Sequence, residues 1–256
     1  MRAYELIKET FCRKLYILIV HLSWLALYGM FYWLRLPDAG EISDFARFIF
    51  IWGGFFLALA LSAGIFGDDI SSGRICVLVT KPVWLGELYI YRLLGLSLQA
   101  AVHFILAWFV IFIVHALMRK GSMNGLGLWL FASWLLFNTC AALSTSLSVV
   151  VGRAYNALLL LVVFITAFFV VSWLMASSKQ QADTGVLFSF IRFACPPFEL
   201  LSKFAGGEYG KYSLTVGRFS LAKSAACIVH SMILTVVYSI VGIVLLSRQQ
   251  FSRVRD

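Results

Sequence analysis

The residues that could do chemistry are few, and most fall in one stretch. Residues 66–95 read FGDDISSGRICVLVTKPVWLGELYIYRLLG, with Asp68, Asp69, Arg74, Lys81, Glu87 and Arg92 in a short interval. The stretch opens on an acid pair, turns at Gly73 and stops at Lys81-Pro82. Asp69 is placed to cap a helix N-terminus through its free backbone N–H groups. Ile75, Leu78 and Val79 fall on one face of a short helix. Proline disfavours helix at the residue before it, Lys81. The expected product is a short helix held between two apolar spans, a shape suited to docking in a groove of a partner. An ordinary interhelical loop accounts equally well for the same local pattern.

Other chemistries fail on spacing. The metalloprotease pattern HExxH is absent. His103 and His115 are twelve residues apart, more than three helical turns, and cannot chelate one ion; His21 and His230 are isolated. Each histidine reads as a packing or interface residue. No GxSxG elbow surrounds the serines near His103, such as Ser97. The five cysteines, Cys12, Cys76, Cys140, Cys195 and Cys227, form no CxxC pair and no zinc spacing, and read as small buried apolar residues. The nearest approach to a nucleotide-binding loop is AGGEYGKY at 205–212. It lacks the first glycine of the P-loop, and Tyr212 stands where a Ser or Thr would hold magnesium. The chain is therefore expected to be no enzyme and to bind no cofactor or metal. Any ATP and Mg would belong to another chain.

The elements around these residues are apolar. Of 256 residues, 61% are hydrophobic and 13% charged, against roughly half and a quarter in soluble domains. A span needs about 20 mostly apolar residues. Six such runs are expected, at about 15–34, 48–66, 93–118, 126–151, 156–176 and 222–247. No cleavable signal peptide is expected, because the run from Leu15 is span-length and lacks a small-residue cleavage site. Residues 1–14 carry Tyr4, Ile7, Phe11 and Leu15 at helical spacing, the pattern of an interfacial segment. Lys and Arg placement puts both termini and the 67–92 connection on the cytoplasmic side. The long 177–221 connection, with several basic residues, is an exception to that rule. The net charge of +9 flanks spans rather than forming a stripe, which argues for membrane lipid as its neighbour and against nucleic acid.

Inside the runs, Asp and Glu are absent away from the ends. Ion-coupled transporters place carboxylates there. The fourth run has a centre of small and hydroxyl residues from Asn138 to Ser146, and Ala60 and Gly64 form a small-xxx-small pair in the second. Both patterns suit close helix packing; a wall of a substrate path is the functional alternative for the fourth. The fifth run is apolar nearly all round, so it is expected to face lipid, a partner subunit or both. Within 177–221, GVLFSFIRFACPPFELLSKF is apolar but is broken by Pro196-Pro197. Each half is too short to cross, so a pair of short helices dipping into the outer leaflet is expected, shielded by protein.

The 66–95 stretch resembles the inner loop of ABC-2-type transporter permeases, the membrane subunits of many ATP-binding-cassette exporters. Asp69, Gly73, Leu78, Pro82, Glu87 and Arg92 match that pattern in order. The N-terminal segment with Glu5, Lys8, Glu9, Arg13 and Lys14 is similar to the family's amphipathic elbow. The broken hydrophobic stretch at 185–205 and the basic tail are similar as well. Arg74 departs from the pattern, since many members carry a small hydroxyl residue there.

The resemblance implies an all-α polytopic permease domain over 1–256, with a cytoplasmic coupling loop at 67–92 and an outer loop at 177–221. It implies a bacterial inner-membrane dimer, with a second permease copy or paralogue and two cytoplasmic ABC ATPase subunits. The first and fifth spans would meet across the dimer axis. Asp68, Asp69, Gly73, Arg74, Leu78, Lys81 and Pro82 would couple to the ATPase. Glu5, Glu9 and Arg13 would add elbow contacts, and the helices at Pro196 and Pro197 would gate the outer end. The expected function is export of a substrate driven by the partner's ATP hydrolysis. The alternative is a membrane anchor that relays ATPase motion to an extracytoplasmic partner without transport.

Overall fold

Long apolar runs bury backbone polar groups, and a helix satisfies those groups within the run itself. In a computed structural model of the chain the runs are helices. The structure describes residues 3–35, 39–79, 84–118, 126–177, 193–205, 215–216, 219–220 and 223–249. The helices are α1 (Ala3–Arg13), α2 (Tyr16–Arg35), α3 (Ala39–Ser62), α4 (Gly67–Ser71) and α5 (Arg74–Val79). They continue with α6 (Leu85–Met118), α7 (Leu126–Leu147), α8 (Arg153–Ser177), α9 (Phe198–Ala205) and α10 (Lys223–Arg248). One two-residue antiparallel pairing, β1 (Thr215–Val216) with β2 (Phe219–Ser220), is the exception to an all-helical fold among the described residues.

Among the described residues, four stretches are long and apolar enough to cross a membrane: Phe50–Ser71, Leu85–Ile113, Leu126–Leu147 and Ala225–Arg248. The chain has the build of an integral membrane protein. Helices also occupy the first and fifth expected runs, as α2 and α8.

The long helix α6 starts eight residues before the expected third span, at Leu85 instead of Leu93. The Glu87–Arg92 segment, expected to be loop, is helical, and Arg92 at that end pairs with the buried Asp69 and the partly exposed Glu9. The helix α3 ends at Ser62, short of the expected Phe66. Gly64 then adopts φ +78°, a left-handed conformation that glycine reaches without a Cβ clash. Ala60 and Gly64 therefore do not form a helix-packing pair. Between helices the close approach falls at Gly54, where a Cβ would stand 2.8 Å from the carbonyl oxygen of Ser133, while Gly64, past the end of α3, lies equally close to the Arg153 side chain.

The centre of the subunit is α7, which contacts α3, α6, α8, α9 and α10. Its small polar run is used for packing. Thr139 Oγ1 lies 2.7 Å from Ser231 Oγ and 3.2 Å from Thr235 Oγ1, tying α7 to α10. The Ala142 carbonyl accepts from Tyr89 Oη at 3.2 Å, and the Ser144 carbonyl accepts from Asn156 Nδ2 at 2.9 Å. Cys140, Ala141, Thr145 and Ser146 are buried. By contrast α10 turns an apolar face outward, with Met232, Val236, Ile240 and Val244 exposed. On α8, Leu158, Val162 and Ile165 are exposed while Asn156, Leu160 and Phe164 are buried, so among the described side chains of the fifth run one face is turned outward and another is packed.

Candidate functional site

The charged residues singled out above converge at one end of the bundle. The helix α1 lies against α6, and its contact face is Leu6, Thr10 and, beyond its end, Lys14. The stripe expected to be apolar and interfacial is turned the other way, with Tyr4 69% and Leu15 44% exposed. The two readings are compatible because residues 6, 10 and 14 lie on a different face from 4 and 15. The approach is close. A Cβ at Gly95 of α6 would stand 2.7 Å from Thr10 Cβ and 2.9 Å from the Ile7 carbonyl oxygen.

Arg92 is the hub. Its side chain is fully buried, with Nη1 2.9 Å from Glu9 Oε1 and Nη2 3.0 Å from Asp69 Oδ2. Nη1 also donates to Thr10 Oγ1 at 3.1 Å. Thr10 in turn donates to the Leu6 carbonyl. Asp69 is likewise fully buried, and its Oδ1 is 2.9 Å from Arg13 Nη1. Glu9 receives a second cation, Arg74 Nη2, at 3.0 Å. The Glu9 contacts and the Arg13–Asp69 contact are ion pairs by distance, without the alignment of a hydrogen bond. The pairs join α1, α4, the start of α5 and α6.

Asp69 therefore does not cap a helix. The N-cap position of α4 is Phe66, which makes no side-chain cap. The buried guanidinium of Arg92 and the partly exposed one of Arg13 compete for the Asp69 carboxylate, and a charge-assisted pair outweighs an N-terminal N–H contact. The short helix expected between the spans is two helices, α4 and α5, with a turn between them. Gly73 makes the turn at φ +68°. Ile75 and Leu78 are buried on α5, as the spacing predicts, while Val77 is 61% exposed. Ser71, Ser72 and Arg74 are exposed beside it. Asp68 lies at half-buried depth, and its carbonyl accepts from Ser72 Oγ at 2.6 Å. Glu5 is exposed on α1. Lys81 and Pro82 lie outside the described residues.

Lys14 closes the arrangement. Its Nζ donates to the carbonyls of Ala60, Leu61 and Ala63 at 3.0, 2.8 and 3.2 Å. These are carbonyls at the C-terminal end of α3, where helical donors run out. Burial pushes the Lys14 ammonium down to about 8; Arg153 adds to the shift, Asp68 opposes it and Arg13 contributes further. In the sequence Lys14 stands out only as one of the charges of the N-terminal elbow segment. The i, i+4 series Leu6–Thr10–Lys14, with its hydroxyl and amine on a helix face, was the signal that it faces protein.

The other expected site lies on α9 and the residues before it. Proline nitrogens have no proton, so Pro196 and Pro197 leave carbonyls one turn earlier without helical donors. The Phe193 carbonyl pairs with His230 Nε2 at 2.8 Å, and the Phe193 ring stacks on that imidazole. The Ala194 carbonyl accepts from Tyr238 Oη. Past the break, Phe198 stands edge-on to Trp52 and Phe164, fixing α9 to α3 and α8. The partner helix expected before the break lies outside the described residues, apart from Phe193 and Ala194. His21 and His115 lie outside the described side chains, and His103 is buried on α6. Among the described residues no three His, Cys, Asp or Glu side chains converge as a metal site would require.

No protein-family model matches this chain, and no curated protein matches it.

Proposed function

We propose that the chain is the transmembrane permease subunit of an ATP-binding-cassette transporter, driven by ATP hydrolysis on separate cytoplasmic subunits. The observation that carries the reading is the buried ion network at Arg92. It fastens α1, α4 and α6 together at charged contacts of 2.9 to 3.0 Å. A displacement applied to the α4–α5 turn would then reach the membrane helix α6 with little loss, because packed and paired groups transmit strain. The exposed tip of that unit, Ser71, Ser72, Arg74 and Val77, is the surface we assign to the ATPase. Asp69 and Leu78 act behind it: Asp69 holds the unit to α1 and α6, and Leu78 packs it on the core.

On this reading six helices cross the bilayer, with the network end cytoplasmic in a bacterial inner membrane. A second permease copy or paralogue completes the transporter, with α2 and α8 meeting across the axis. The tail-side helix α9, held by Phe198, belongs to the outer gate with Pro196 and Pro197. Its supporting feature is the depth of the break. Tyr238 is the sixteenth residue of α10, about 22 Å along that helix at 1.5 Å per residue. The carbonyl of Ala194 that it holds is therefore well inside the length of a spanning helix, where unhydrated backbone needs protein donors.

The test is a photo-crosslinker at Val77 in native membranes. The expected product is a crosslink to a chain with ATPase activity, lost when Arg74→Glu is added beside it while membrane insertion and thermal stability stay normal. Crosslinking to no ATP-hydrolysing chain would refute the docking surface.

A further inference from the structure

One buried group lies outside both sites and has no partner. Gln99 on α6 is 2% exposed, and neither its Nε2 nor its Oε1 makes a hydrogen bond. The Nε of Arg92, seven residues earlier, is also buried without an acceptor. Separations of 7 and 11 residues return to one helix face, so Arg92, Gln99 and His103 form a single buried stripe of α6. At 1.5 Å per residue, Gln99 lies about 10 Å and His103 about 16 Å beyond Arg92.

The helix neighbours of Gln99 one turn away are Gly95, Leu96, Val102 and His103. Of these only His103 carries a polar side chain. Farther along the face, Ala100 and Phe104 belong to the apolar core. A primary amide brings two donors and a carbonyl acceptor. Buried polar atoms are nearly always satisfied by protein or ordered water, and in hydrocarbon the requirement is stronger. Water is the smallest species that accepts from Nε2 and donates to Oε1 together. A charged ligand does not fit, because the amide offers it no counter-charge and the adjoining core is apolar.

We propose that Gln99 holds internal water within the membrane-embedded part of the chain, bordered by His103. The inference rests on the fold and stands whether or not an ATPase drives the chain.

X-ray radiolytic footprinting of the full chain in lipid nanodiscs tests it, since activated bound water modifies the side chains beside it. Leu96, His103 and Phe104 are expected to label severalfold faster than Phe137, an equally buried core residue. Gln99→Leu is expected to lower that labelling severalfold, to leave exposed Tyr4 unchanged and to lower the melting temperature. Background labelling in the unaltered chain, or labelling indifferent to Gln99→Leu, would overturn the proposal. So would a Gln99→Leu chain that melts higher than the unaltered one, which would mark the amide as an orphan. If Gln99→Leu does not fold, Gln99→Met, of similar length and without the amide, carries the same outcomes.

Discussion

Asp69→Asn is the sharpest perturbation of the ion network. The substitution keeps the size of the side chain and an acceptor oxygen for Arg92 Nη2, and removes only the charge. Asp69 is fully buried and pairs with Arg13 at 2.9 Å and Arg92 at 3.0 Å. Without it, Arg92 keeps Glu9, which it shares with Arg74. Stripping one partner from a buried ion pair costs about 3–5 kcal/mol, because the remaining charge stays desolvated. Arg13 is 23% exposed and rehydrates in part, which places the cost near the lower end, about 3 kcal/mol. The network is what holds α1 to α6, so the docking equilibrium constant of α1 should fall, and its released fraction rise, by roughly 100-fold. Trypsin reads this out, since Lys14 is buried when α1 is docked and becomes cleavable on release. The rate of cleavage after Lys14 in membranes should rise by about the same factor while opening is fast relative to cutting. The double variant Asp69→Asn/Arg92→Met should recover much of the loss, because removing both charges leaves no uncompensated ion. A cleavage rate within about twofold of the unaltered chain for Asp69→Asn would refute the reasoning.

Other perturbations follow from the same contacts. Lys14 binds its proton less tightly folded than unfolded, with the folded value near 8 against 10.5. Above pH 8 the unfolded chain therefore holds more protons, and raising the pH toward 10.5 favours the folded state at this group. Melting temperatures of the unaltered chain and of Lys14→Met, compared across that window, should show the upward slope only in the former. Tyr238→Phe leaves the Ala194 carbonyl without its donor, at a cost of about 1–3 kcal/mol; thermal unfolding should show it, and proteolysis should locate the loosening at 193–197. Thr139→Val removes the hydroxyl shared with Ser231 and Thr235 and should cost about 0.6–2 kcal/mol in the α7–α10 contact, readable by steric-trap or denaturant unfolding. Gly73→Ala forces a Cβ into φ +68° and should cost about 1–2 kcal/mol, with hydrogen exchange rising locally over 71–76.

The helices were legible because a long apolar run has few stable alternatives in a membrane. The end of α6 nearest the network was not, because the charges Glu87 and Arg92 marked it as connection. Arg92 is buried there against Glu9 and Asp69, which are 83 and 23 residues away in the chain. The face of α1 that meets protein was not legible for a related reason. Tyr4, Ile7, Phe11 and Leu15 make the more apolar stripe, yet the stripe of Leu6, Thr10 and Lys14 meets protein. What it meets is a guanidinium and a row of carbonyls, and hydropathy does not register that match. Pro196-Pro197 announced a break, and elementary chemistry required donors for the carbonyls before it. Only packing could name His230 and Tyr238.

The residues 66–95 illustrate the division. Their sequence alone determined that a turn falls at Gly73, that Ile75 and Leu78 face the core, and that the charges cluster at one end of the apolar runs. These are local properties, set by backbone geometry and periodicity. Tertiary structure decided that Asp69 points inward to Arg13 and Arg92, leaving Ser71, Ser72, Arg74 and Val77 as the outward surface. An ion pair is chosen by which charges three-dimensional packing brings within about 3 Å, and distance in the chain carries no record of it.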